Sequence, residues 1–174
     1  ETINGGDTVS VTGTIDTGTT NDEGGIETTG SNTITVSTDG IIKTGGTGAD
    51  GIWNQDDTNI TTMSGSITTL NTSSAGVHNE SKSNNTTVSG SITTSGRYGH
   101  GIANVGDTNT TTVSGSIATG NVSSNGGKDS YGIYNEGNNN TTTLTGDITT
   151  INWSGYGIYN IGNKNTTIMS GTFT

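Results

Sequence analysis

The sequence predicts an all-β chain folded as a right-handed parallel β-helix, a β-solenoid of about seven coils with three short strands in each. Three observations predict it. The string GIANVGDTNTTTVSGSIAT, from Gly101 to Thr119, recurs in near-copy at Gly51, Gly76, Gly132 and Gly157, in steps of 25, 25, 31 and 25 residues. A fixed period of this size marks a solenoid, propeller or array. Three apolar positions keep the period: Ile52, Val77, Ile102, Ile133, Ile158; then Met63, Val88, Val113, Leu144, Met169; then Ile67, Ile92, Ile117, Ile148, Phe173. Between them, Asn109, Thr111, Val113, Gly115, Ile117 and Thr119 share one parity, which reads as strand with one buried face.

The strands of one coil are expected around 101–104, 109–114 and 116–119. Three apolar residues cannot bury themselves in an isolated 25-residue unit, whereas stacked coils give continuous columns. Parallel crossovers are right-handed in nearly all cases, hence the expected hand. No stretch has the spacing of an amphipathic helix. Seven coils at about 4.8 Å make a rod on the order of 34 Å long.

The N-terminal part is a degenerate copy. Val11 and Ile15 match the second and third columns, and Ile3 is placed in the first. Ile26, Val36 and Ile42 follow, with two extra residues around Thr38–Asp39. One domain results, with coils near 1–24, 25–50, 51–75, 76–100, 101–131, 132–156 and 157–174. The 31-residue step comes from an insertion between Gly120 and Ser130, and Asn121–Asp129 is expected to project as a loop.

Only 24 % of the chain is apolar, a fraction that without periodicity suggests disorder. Ladders of Thr, Ser and Asn let a narrow, polar-lined core suffice. The 30 glycines suit tight corners, and the absence of proline suits unbroken ladders. Without cysteine there is no disulfide framework or thiolate metal site. A net charge of −10 argues against nucleic acid and anionic membranes as partners. No stretch is long and apolar enough for a membrane span.

Two asparagine columns follow the repeat. Asn54, Asn79, Asn104, Asn135 and Asn160 share the face of the first apolar column and can pass hydrogen bonds from coil to coil. Asn59, Asn84, Asn109, Asn140 and Asn165 form the second and help create sequons such as Asn85-Thr86-Thr87. Asp57, Lys82 and Asp107 share a column of alternating charge, which reads as a surface ion ladder. Asp56 and Asp57 offer too few oxygens for calcium. His78 and His100 have no metal-ligand spacing and are expected to be solvated. No catalytic residues, cofactor or metal site are expected.

Between the first-column residue and its asparagine stand Trp53, His78, Ala103, Tyr134 and Tyr159, all pointing outward. Tyr98, Tyr131, Trp153 and Tyr156 lie just before the same strand, so every Trp and Tyr sits beside one corner. Exposed aromatics in a row can stack on sugars or on another protein, or can shield the core edge. Trp53, His78, Tyr131, Tyr134, Trp153, Tyr156 and Tyr159 are therefore the candidate contact residues for a surface glycan or a host or cell receptor.

GIYNEGNNNTTTLTGDITT (132–150) and GIYNIGNKNTTIMSG (157–171) resemble the repeats of bacterial autotransporter passengers and related surface adhesins. The resemblance covers most of the chain from Gly25 onward. It implies a β-solenoid, a passenger or fragment because no translocating barrel is present, and an extracellular or bacterial cell-surface location. The leading expectation is a non-enzymatic structural or adhesive protein. A carbohydrate-binding solenoid is the alternative, and an ice-binding face of Thr62, Thr87, Thr112 and Thr143 a third. The sequence starts near a coil start and stops with Phe173 in the third column. Self-association through the solenoid ends, with Ile3 and Phe173 in contact and filaments as the product, is therefore also expected.

Overall fold

A computed structural model describes residues 2–120, 129–151 and 154–174. The expected loop of Asn121–Asp129 lies outside the described residues except for Asp129, and Trp153 lies outside them too. The described chain forms three sheets of seven parallel strands each, and successive coils supply successive strands to every sheet. It is thus a parallel β-solenoid with three strands per coil, and no helix occurs among the described residues. In the central coil the strands are Ile102–Asn104, Thr110–Val113 and Ser116–Thr119, within one residue of the expected bounds.

The register follows the columns. Ile102 lies between Val77 and Ile133, Val113 between Val88 and Leu144, and Ile117 between Ile92 and Ile148. All nine are at most 1 % exposed. Parity forces this outcome, because alternate strand residues point to opposite faces and only one face meets the interior. The two extra residues at Thr38 and Asp39 form a turn, and Val36 and Ile42 still fall into their columns.

One column assignment is corrected. Ile3 pairs with Thr28, and Thr28 pairs with Asn54, so Ile3 heads the asparagine column and not the first apolar one. It remains 6 % exposed and belongs to the core, because that column faces the same interior. In the first two coils another interior position is also apolar. Val9 pairs with Ile34, and Ile34 with Thr61, which starts the buried column Thr61, Thr86, Thr111, Thr142.

Most interior polar groups are paired, the exceptions including Asn140 Nδ2 and Thr119 Oγ1, which are buried without a hydrogen-bond partner among the described residues. Each Nδ2 of Asn54, Asn79, Asn104 and Asn135 donates to the Oδ1 of the next asparagine at 2.7 Å. Each also donates to a threonine Oγ1 of its own coil, as Asn104 does to Thr111 at 3.0 Å. In the second column the Oδ1 of Asn84, Asn109 and Asn140 accepts the backbone N–H of the preceding coil's asparagine at 2.7–2.8 Å. Burial of these carboxamides is therefore compatible with a stable core. Asn59, Asn84, Asn109 and Asn140 are at most 1 % exposed and closed to glycosylation in the folded chain, whereas Asn85 is exposed.

The corners use glycine partly as expected: Gly6, Gly18, Gly30, Gly48 and Gly120 have positive φ. Thr58, Ser83, Thr108, Asn139 and Lys164 turn one corner with φ between 57° and 64°, and none is glycine. The N–H groups of the first four donate to the next coil, which fixes that left-handed conformation. Gly65, Gly90, Gly115 and Gly146 do not have positive φ. They are needed for close approach: a Cβ on Gly115 would sit 1.9 Å from the carbonyl oxygen of Gly90.

Phe173 pairs with Ile148 as its column requires, yet it is 44 % exposed, and Met169 is 51 % exposed.

Candidate functional site: two columns of rings on one edge

The first strand of each coil alternates in, out, in. In the coils of Trp53, His78, Ala103 and Tyr134 the outward residue lies between a buried aliphatic and a buried carboxamide, so its backbone is held on both sides. In the last coil Ile158 is half-buried and Asn160 exposed. Register stacks Glu27, Trp53, His78, Ala103, Tyr134 and Tyr159 into one outward column. The residue before each repeat glycine forms a second. The N–H groups of Gly51, Gly76, Gly101 and Gly132 donate to the carbonyls of Ala75, His100, Tyr131 and Tyr156. Asp50, Ala75, His100, Tyr131 and Tyr156 are therefore in register beside the first column.

At the C-terminal half both columns carry rings. Tyr131 stacks on His100, Tyr134, Tyr156 and Tyr159 with centroids 4.7–5.8 Å apart and planes within 28°. His100 also stacks on Tyr134 at 4.8 Å, and Tyr134 and Tyr156 each stack on Tyr159. Strand spacing explains these separations, since coil-to-coil distances of about 4.8 Å are suited to stacked rings. Toward the N-terminus, Trp53 stacks on His78 at 6.1 Å, and its Nε1 donates to Glu80 Oε2 at 2.8 Å.

The candidate contact residues Trp53, His78, Tyr131, Tyr134, Tyr156 and Tyr159 thus share one edge. Ala103 points outward as expected but is only 4 % exposed. Tyr98, 41 % exposed, carries the Arg97 guanidinium over its ring and accepts a bond from Arg97 at its hydroxyl.

Neither histidine is simply solvated, contrary to expectation. His78 Nδ1 lies 2.8 Å from Asp50 Oδ2, and the other Asp50 oxygen accepts the N–H of Ala75 at 2.6 Å. His100 Nδ1 accepts the N–H of Tyr131 at 3.2 Å, which places the ring proton of the neutral form on Nε2. Burial, with a smaller contribution from His78, lowers the His100 pKa from 6.5 to about 4. Burial, then the hydrogen bond and charge of Glu136, pushes the Tyr134 hydroxyl up to about 12. Burial also raises Tyr131. Sequence reasoning missed Asp50 and undervalued His100, although both fall two residues before the first apolar column, where the periodic signal continues.

Recesses flank His78. One of about 230 Å³ is bordered by Asp50, Ser73, Tyr98, His100, Val105 and Tyr134, with Ala75 and Ala103 against it. Another of about 320 Å³ lies between Asp22, Asp50, Trp53 and His78. At the corner between the second and third strands, a shallow groove of about 750 Å³ is lined by the serines flanking Gly65, Gly90 and Gly115.

The other sequence candidates sit elsewhere. Lys82 Nζ and Asp57 Oδ2 form an exposed pair at 3.6 Å. Asp56 accepts the N–H of Gly30. Thr62, Thr87, Thr112 and Thr143 form one outward rank that continues to Ile168. The neighbouring rank mixes Ile60 and Asn85 with Thr110 and Thr141. Among the described residues no group of three or more histidines and carboxylates could hold a metal ion, and no helix is long and apolar enough to cross a membrane. Compared with protein-family models, with curated proteins and with solved structures, the chain matches none of them.

Proposed function

We propose that the chain is a non-enzymatic, extracellular structural and adhesive solenoid of a bacterial surface, of the autotransporter-passenger type. The ring column is its contact surface. The observation that carries this reading is the stack formed by His100, Tyr131, Tyr134, Tyr156 and Tyr159, held in register by the sheet behind it. Partly exposed rings on a rigid support offer large apolar area at low ordering cost, which is what a contact surface needs. Replacing Tyr156 and Tyr159 together by serine should leave the melting temperature nearly unchanged and sharply reduce retention on cell and glycan-coated surfaces. Equal retention would overturn the assignment of the ring column.

Head-to-tail association is the second part of the proposal, with a second copy of this chain as the occupant. Met169 and Phe173 lie in register with the interior columns, so a further coil laid on them would continue those columns. Sedimentation should show concentration-dependent assembly that Phe173→Asp abolishes. A monomer at every concentration would reject this part and leave the ring column untouched.

A further inference from the structure

The two outward columns do not carry a ring in every coil. Coils with Tyr131 and Tyr134, and with Tyr156 and Tyr159, carry two. The coil of His78 has Ala75 as the second member, and the coil of His100 has Ala103. The alanines fall in opposite columns of adjacent coils, so the missing rings leave a diagonal opening. That opening is the recess of about 230 Å³. Ala75 and Ala103, 5 % and 4 % exposed, lie against it, while His78, His100, Tyr98 and Tyr134 border it. We propose that this recess is a binding subsite for one uncharged pyranose ring of a glycan. The proposal rests on the ring column being the contact surface.

Size is the first argument. Pockets for drug-sized ligands hold ~300–1,000 Å³, so this recess suits a single ring of a longer ligand. Chemistry is the second. Asp50 holds His78 by Nδ1, which leaves Nε2 of the neutral ring as an acceptor. Tyr131 N–H holds His100 by Nδ1, which leaves its Nε2–H as a donor. A hydroxyl both donates and accepts, and a pyranose carries hydroxyls on its edge and C–H groups on its face. A purely aromatic side chain would cover the ring nitrogens and the Ser73 hydroxyl without bonding them, which costs affinity.

Preorganisation is the third argument. Asp50, 7 % exposed, is fixed by Ala75 N–H and His78, so the polar groups are set before a ligand arrives. Charge is the fourth. Asp22 and Asp50 border the adjoining recess, and Glu80 is bonded to Trp53 beside it, on a chain of net charge −10. Sialic and uronic acids are disfavoured by that field, and uncharged sugars are not.

The test is a titration of the ¹⁵N-labelled chain with the methyl glycosides of glucose, galactose, mannose and N-acetylglucosamine. Saturable shifts at the ring nitrogens of His78 and His100 and at the amides of Ala75 and Ala103 are expected for at least one. His78→Phe keeps a ring wall and removes the acceptor, and should weaken binding about tenfold. His78→Ala should weaken it further; the column already holds alanine at 103, so folding should survive, and the amide spectrum checks this. No saturable shift with any of the four sugars, or equal binding by folded His78→Ala, overturns the subsite. The Tyr156→Ser, Tyr159→Ser double variant separates the two readings. It should lose surface retention while binding the glycoside like wild type, and coincident loss of both would overturn the recess as a distinct subsite.

Discussion

Asn104 Nδ2 donates to Asn135 Oδ1 at 2.7 Å across 31 residues of sequence, the same distance at which Asn79 reaches Asn104 across 25. The longer step is accommodated without any change in the core. Removing six residues within 121–128, to restore the shorter period, should therefore leave the melting temperature nearly unchanged. Loop-closure cost changes by only about 0.6 kcal/mol per doubling of length. Circular dichroism on the shortened chain checks this, and a large drop would show that the insertion packs structurally.

The same amide column predicts a position-dependent cost. Asn104→Leu leaves Asn79 Nδ2 with only its bond to Thr86 and Asn135 Oδ1 without its donor, so a loss of ~2–5 kcal/mol in urea unfolding is expected. Thr28→Ile, in the same column, should cost much less. Thr28 Oγ1 makes only long contacts, 3.4 Å each, and its neighbour toward the N-terminus is Ile3.

The glycines of the second corner predict a paired outcome. Gly115→Ala drives a Cβ into the Gly90 carbonyl and should destabilise by at least ~1–3 kcal/mol. Gly13→Ala meets nothing within 4 Å and should be near neutral or slightly stabilising. Equal melting of the two variants would refute the close-approach reading.

His100 predicts a pH dependence. Its folded pKa, about 4, lies below the unfolded value of 6.5, so the unfolded chain binds the extra proton in that window. Stability contributed by neutral His100 is complete above pH ~6.5 and falls, by up to ~3 kcal/mol, as pH drops toward 4. His100→Phe keeps a ring in the stack and should flatten this part of the stability–pH curve. The remaining slope would belong to the carboxylates.

Much of the fold was legible because a solenoid repeats its own alignment. Ile102, Val113 and Ile117 each recur with their neighbours, so one sequence carries several copies of the same pattern. Legibility failed where the copies diverge. Ile3 could be read into two columns because both face inward, and only the pairing with Thr28 separates them. The glycine at 115 announced a special backbone position, but sequence does not distinguish a left-handed corner from a carbonyl pressed against the chain. At the candidate site the outward rings of 53, 134 and 159 followed from parity. Asp50 and His100 did not, because they stand in connectors, where alternation gives no direction.

The strands lie across the solenoid axis, while the bonds between coils, from the Asn104–Asn135 amide pair to the backbone ladders, run along it. Tension applied between the two ends of such a rod does not shear many bonds at once. It peels the outermost coil first and leaves the next one intact until its turn. Each released coil of about 25 residues adds ~80–90 Å of slack chain. The 31-residue step would add a longer increment, identifiable by its size. A rod built this way would yield in instalments under load, lengthening one coil at a time.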